Sequence, residues 1–341
     1  TANYEARLNW QSTNSDASNA DSTTTGGSLR VASDASFARL GWSVDISHQA
    51  IDFPATRRSE TDRITGGLTF IATPELLFSA RAGHESNDLL TLSKQGYRTW
   101  GWGATWTPTE RTRIDLQRDQ RFFGTSHSVR LEHRMPRSML AFTDVRDVST
   151  DAAAGIGAGP RTVHDLYFAQ LASIAPDPVL REALVDVILQ RNGLTRSSLV
   201  TGGFLTSAVT LQRRSDLSFV WTGLRETFIV SAFRNDARQL DAIAVTTDDL
   251  SNGNLVRQHG VSANVSHRLT PLSTLSVLAA HTRTTGTVTA RATDLQSISA
   301  TLTNRLRANA DLSMSARHTR FESDTNPYTE NAVIANLQLR F

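Results

Sequence analysis

A chain of 341 residues, 39% hydrophobic and 20% charged, has room for one large domain or two ordinary ones. A formal net charge of only +2 argues against a dedicated nucleic-acid binder, and the absence of Cys excludes disulfides and thiolate metal sites. No apolar run is long enough for a transmembrane helix, yet a mean hydropathy of −0.28 does not exclude membrane strands, whose lipid-facing and lumen-facing residues alternate and average to polar.

The chain opens at Thr1 with neither Met nor a signal peptide, so it reads as a processed or trimmed product. Ala2, Tyr4, Ala6, Leu8 and Trp10 alternate with Asn3, Glu5, Arg7 and Asn9, a period of two that gives a strand one oily and one wet face. The segment from about Ser12 to Gly26 reads as a long polar loop, followed by Leu29, Val31 and a turn at Asp34-Ala35. Ala38, Leu40, Trp42, Val44 and Ile46 then oppose Arg39, Gly41, Ser43, Asp45 and Ser47. Ile64, Gly66, Leu68 and Phe70 oppose Arg63, Thr65, Gly67 and Thr69, and Phe78, Ala80 and Ala82 oppose Ser79 and Arg81. Trp100, Trp102, Ala104 and Trp106 oppose Thr99, Gly101, Gly103 and Thr105; Val129 and Leu131 oppose Arg130 and Glu132. The strand near Met139 to Val148 has no clean phase, because either one turns something awkward towards lipid. Val209, Leu211, Leu217, Phe219 and Trp221 share a face on which Arg213 is the misfit. Phe228 to Phe233, then Val261, Leu275, Ile298 and Leu312 with their alternate neighbours, continue the series to Val333, Ala335, Leu337, Leu339 and Phe341.

The connections sort by length. Tight turns are expected at Asp34-Ala35, Thr73-Pro74-Glu75, Thr107-Pro108-Thr109, Met135-Pro136-Arg137, Thr222-Gly223 and Thr270-Pro271-Leu272, since Pro has no N–H for a ladder and ends strands. Long polar connections fall between them at Ser12 to Gly26, Asp52 to Glu60, Ser86 to Lys94 and Ala237 to Asn254. Short turns on one side and long loops on the other are the habit of transmembrane β-barrels. Phe37, Trp106, Trp221 and Phe341 lie beside tight turns or the terminus, where an interfacial girdle would sit, and Trp10 falls at the far end of its strand.

One segment changes period. Between Asp151 and Gly203 the pattern is helical: Asp177-Pro178 is a helix start, Leu180, Ala183, Leu184, Val187 and Ile188 form one stripe, and Asn192-Gly193 closes it. A weaker helix is expected from about Val163 to Ser173. The chain therefore divides into 1–150 as the first part of a barrel, 151–203 as a helical cap or plug on the extracellular side, and 204–341 as the second part. The fold expected is all-β: a transmembrane antiparallel β-barrel of about 16 strands, or 18 if two N-terminal strands precede this chain.

Leu166-Tyr167-Phe168, Asp177-Pro178 with Arg181, Asn192-Gly193-Leu194, Phe204-Leu205-Thr206, Leu211-Gln212-Arg213 and Gly223-Leu224-Arg225 resemble the outer-membrane β-barrel proteins associated with PEP-CTERM/exosortase exopolysaccharide loci. The likeness is concentrated between Leu166 and Arg225, and its motifs are structural. It implies a part in building or exporting a surface polysaccharide, with periplasmic export components as partners, and it supplies no active-site residues. The aromatic-ended last strand likewise resembles the signal by which such barrels reach their assembly machinery. Lipid and lipopolysaccharide of the bacterial outer membrane are the expected surroundings.

No cofactor, metal site or catalytic residue is expected. His84, His127, His133, His267, His281 and His318 are scattered without ligand spacing, and Asp248-Asp249 with Ser251, Asn252 and Asn254 lacks the spacing of a calcium loop. An outer-membrane enzyme would require a Ser–His or Asp–His pair close together on the wall. The wet faces instead give a candidate lumen lining of Glu5, Arg7, Arg39, Asp45, Arg63, Arg81, Arg130, Glu132, Arg268, Arg317 and Arg340. Such an Arg-biased interior suits an anionic or hydroxyl-rich chain, or a salt-bridge ladder that fills the barrel. The leading expectation is a non-enzymatic pore or scaffold in exopolysaccharide export; the alternative is a general or substrate-selective diffusion porin.

Overall fold

Alternation with a period of two folds here into sixteen strands. The computed structural model describes residues 2–13, 22–33, 39–52, 58–91, 93–149, 181–182, 185–186, 209–240, 255–286, 292–307, 310–323 and 327–339. The strands are β1 (Ala2–Thr13), β2 (Ser22–Ser33), β3 (Leu40–Asp52), β4 (Arg58–Thr73), β5 (Leu76–Asn87), β6 (Gln95–Thr109), β7 (Thr112–Arg121) and β8 (Gly124–Arg134). They continue as β9 (Ser138–Ser149), β10 (Thr210–Thr222), β11 (Glu226–Gln239), β12 (Leu255–Thr270), β13 (Ser273–Gly286), β14 (Thr293–Arg307), β15 (Ala310–Ser323) and β16 (Tyr328–Leu339). Each pairs antiparallel with its sequence neighbours in one sheet ordered β1 to β16. At 10 to 16 residues the strands have the length a tilted bilayer crossing needs.

The sheet is inverted relative to a water-soluble protein. Trp42, Ile64, Leu68, Trp100, Trp102, Leu217 and Val261 are exposed, whereas Thr65, Glu85, Thr99, Arg214, Asn235, Gln258 and Asn264 are buried. Cross-strand registers put the first set on one face and the second on the other. Water would drive that distribution the other way; an apolar exterior contiguous over many strands belongs in lipid. Among the described residues no helix is long and apolar enough to cross a membrane, so the crossing is made by strands.

Curvature is visible at the end carrying the longer connections. Ile51 at the tip of β3, Leu89 after β5 and Val209 before β10 are all buried and pack together, with Phe122, Val148 and Leu240 against them. Segments far apart in the strand order thus meet over the concave face.

Several boundaries differ from those expected. Ser22 to Gly26 is strand rather than loop, because the Ser/Thr run pairs with Asn9 to Thr13. Thr107-Pro108-Thr109 stays in β6, and the register slips between Trp106 and Thr109 where Pro108 has no N–H to donate; the turn is at Glu110-Arg111. β7 joins the series as a strand with only Ile114 and Leu116 as its apolar outward residues. A two-residue connection, Phe122-Phe123, also falls at the long-loop end; Gly124 follows it with φ of 102°, a left-handed conformation open to Gly. The strand over Met139 to Val148 adopts the phase that turns Asp144 and Arg146 to the exterior. The expected turn at Asp34-Ala35 and most of 151–203 lie outside the described residues. Within that segment Arg181, Glu182, Val185 and Asp186 are helical and Val185 is fully buried. Since β9 leaves the tight turn at Met135 to Arg137, the segment following it departs from the opposite, long-loop end.

Candidate functional site

The inner wall carries the charge. Arg121, the last residue of β7, donates from Nε and Nη2 to the two oxygens of Glu85 on β5 at 3.0 and 2.7 Å, and from Nη1 to Asp147 on β9 at 2.5 Å. One guanidinium therefore ties three strands, in the planar bidentate geometry that Arg alone provides. Glu85 is 0% exposed, and Phe122 and Phe123 cover the guanidinium with ring centroids 5.8 and 5.3 Å from it. Tyr97, opposite Glu85 on β6, touches Phe122 at 5.8 Å between centroids. The apolar cluster around Ile51, Leu89 and Val209 lies at the same end, so a buried ion pair and an apolar cluster share the long-loop end.

Beside and below that ion pair, β4, β5 and β6 form a donor-rich patch. Arg63 is opposite Glu85, Thr65 is opposite Gly83, and Gly83 is opposite Thr99, all on the inner face. Arg63 Nε, Thr65 Oγ1, Arg81 Nε and Thr99 Oγ1 are buried without a hydrogen-bond partner. Arg81 Nη2 keeps Asp119 at 3.1 Å. At Gly83 a Cβ would run into the carbonyl of Ile64, so backbone packs closely there and a side chain is excluded between Thr65 and Thr99. Buried donors of this kind cost free energy unless a partner meets them.

The other described members of the predicted lining set make the following contacts. Arg7 donates to Glu5 at 2.7 Å, Asp45 faces Arg30 at 3.6 Å, and Glu132 accepts from Arg134 at 3.1 Å. Arg317 reaches Glu330 at 2.6 Å. Arg130 is opposite Asp115, Arg268 donates to the carbonyl of Leu224 at the tight-turn end, and Arg39 precedes β3 in an exposed position. Arg340, with Phe37 and Phe341 of the aromatic set, lies outside the described residues. Trp106 and Trp221 face outward beside tight turns, and Trp10 faces outward near the other end of β1. Sequence reasoning missed Glu85, Arg121 and Asp147; only the phase of Arg121 and Asp147, once β7 is known to be a strand, would have pointed to them. At the long-loop end Lys94 contacts Glu60 at 3.6 Å and Asp62 more closely, and the Asp62 carboxylate holds its ammonium above the ordinary lysine range.

Asp–His pairs do occur, on the outer wall. His127 Nε2 is 2.9 Å from Asp144, and His281 Nε2 is 2.9 Å from Asp294. Neither makes a described nucleophile: Ser215 Oγ donates to Asp144 itself at 2.7 Å, and not to the imidazole. Among the described residues no group of three or more His, Asp or Glu has the arrangement of a metal site.

The inverted faces and the all-neighbour antiparallel order of the sixteen strands among the described residues make this an outer-membrane β-barrel. No family model matches the chain, and no curated protein matches it in sequence. Solved structures similar to it include a bacterial polysaccharide outer membrane secretin, at 8% identity and TM-score 0.40 over 99% of this chain and 98% of the other. A BenF-like porin from Pseudomonas fluorescens Pf-5 matches at 10% identity and TM-score 0.35, over 99% and 97%. The siderophore receptor PirA from Pseudomonas aeruginosa matches at 13% and 0.41, over 98% of this chain but 61% of the receptor. Likenesses this low carry no weight beside the chain's own geometry.

Proposed function

We propose that the chain is a gated, non-enzymatic pore or scaffold of the outer membrane that takes part in exopolysaccharide export. The observation that supports this reading is the make-up of the inner wall at and below its long-loop end: the buried ion pair of Arg121 and Glu85 beside an apolar cluster, and the adjoining polar groups of Arg63, Thr65, Arg81 and Thr99 that have no hydrogen-bond partner. A hydroxyl-rich or anionic polymer fits such donors, and an ion-paired, apolar end suits a conduit that opens on demand. The resemblance between Leu166 and Arg225 to exosortase-associated barrels supplies the polysaccharide context, with segment 151–203 as a cap or plug. Assembly through β16 and partners in the periplasm belong to the same reading.

Planar-bilayer conductance tests it. The full chain is expected to be nearly silent, and a variant lacking residues 151–203 to open a steady ionic current. A large, constantly open conductance from the full chain would instead favour the diffusion-porin reading, which the donor-lined wall also suits.

A further inference from the structure

On the exterior, the strands from β8 to β13 turn from apolar to polar or charged as they leave the tight-turn side. The registers align these switches into rows. One row runs Leu131, Phe142, Leu217, Ala232, Val261, His281; the next runs Val129, Asp144, Ser215, Arg234, His259, Arg283; the third runs His127, Arg146, Arg213, Asp236, Arg257. A shallow groove of about 300 Å³ lies where the first two rows meet, with Phe142, Leu217, Ala232 and Val261 on its apolar side and Arg234, His259 and His281 on its polar side. Ala232 and Ser215 are the small residues between larger neighbours, which is why the surface is notched there.

We propose that this outer face of β9 to β13 binds the phosphorylated headgroup and upper acyl chains of a glycolipid of the outer leaflet. Across β9 to β12 four guanidinium groups, Arg146, Arg213, Arg234 and Arg257, face two outward carboxylates, Asp144 and Asp236. Asp144 takes Arg213 at 3.3 Å, and Asp236 takes Arg234 at 2.9 Å with Arg257 at 3.9 Å. Five N–H donors per guanidinium exceed what these contacts use. Arg146 and Arg213 are directly opposite across the ladder, a like-charge pairing that costs stability unless an anion lies between. The rows on the tight-turn side contain no counterpart: Leu140, Phe219, Val230, Ala263 and Val277 face out there. The excess of cations is confined to one leaflet and adjoins hydrocarbon, so its complement is an amphiphile with anionic groups at the boundary. A water-soluble anion would have no use for the apolar half of the groove. Nothing here depends on what the lumen carries.

The test uses the full chain in maltoside micelles, with native mass spectrometry reading retained diphosphoryl lipid A, its dephosphorylated form, and competition by millimolar inorganic phosphate. Retention of the diphosphoryl form is expected to exceed that of the dephosphorylated form about tenfold, with no displacement by phosphate. Arg213→Gln/Arg234→Gln/Arg257→Gln is expected to lower retention about 100-fold, while Arg30→Gln on the inner wall leaves it unchanged. Ala232→Phe fills the notch without altering charge and is expected to lower retention even where the triple variant does not fold. Equal retention of the two lipids, or unchanged retention in Ala232→Phe, overturns the proposal. Displacement by inorganic phosphate would assign the cations to a free anion and overturns the lipid as well.

Discussion

Replacing Arg121 by Ala isolates the buried ion pair at the mouth. The substitution removes two bonds to Glu85 and one to Asp147, and Glu85 cannot turn to solvent because it is 0% exposed. Breaking a buried pair by deleting one partner costs about 3–5 kcal/mol, most of it the stranded charge. Arg63 is opposite Glu85 on β4 and supplies part of the missing field, so the lower end, about 3 kcal/mol, is expected. Reversible urea unfolding in micelles, followed by tryptophan fluorescence, measures it. The double variant Glu85→Gln/Arg121→Met removes both charges and should recover at least half of the loss. A loss below about 1 kcal/mol for Arg121→Ala would mean the site is as wet as an ordinary surface pair, and the buried ion pair would have to be abandoned as a stabilising contact. A double variant no better than the single would refute the stranded-charge explanation in particular.

Three further expectations concern the wall. Leu217→Arg should cost about 2–4 kcal/mol in vesicles, whereas Ser215→Arg, one row nearer the long-loop end, should cost under about 1 kcal/mol; equal costs would erase the boundary between the apolar and charged rows. Gly83→Ala should destabilise by about 1–3 kcal/mol, because its Cβ meets the Ile64 carbonyl, and a neutral result in the same unfolding assay would show that β4 and β5 are not close-packed there. For the Asp–His pairs, hydrolysis of a diacyl phospholipid by the wild-type chain should not exceed that by His127→Ala; turnover lost in the variant would move the protein to the enzymatic class.

Much of the barrel was legible because strand geometry is local. Trp100, Trp102 and Trp106 alternate with Thr99, Gly101 and Gly103 whatever lies beside them, so the face each residue takes follows from one strand alone. The same reasoning failed at β7, where Ile114 and Leu116 are followed at once by Arg118: a strand with two lipid-facing apolar residues looks like a loop until Trp100, Trp102 and Trp106 on one side and Val129 and Leu131 on the other claim it. Pro108 misled for a related reason, since a missing N–H ends a strand only where no register slip absorbs it.

By itself, then, the sequence determined the period, the approximate strand number and, outside β7 and β9, the two faces of each strand, because these depend on spacing along one chain. Only the tertiary structure decided which charges meet. Glu85, Arg121 and Asp147 are 26 to 62 residues apart in sequence (147 − 121 and 147 − 85), and Arg146 faces Arg213 across an insertion of 60 residues between Ser149 and Thr210 (209 − 149). Register is set by the summed pairing of whole strands, so these juxtapositions exist only once every neighbour has been placed.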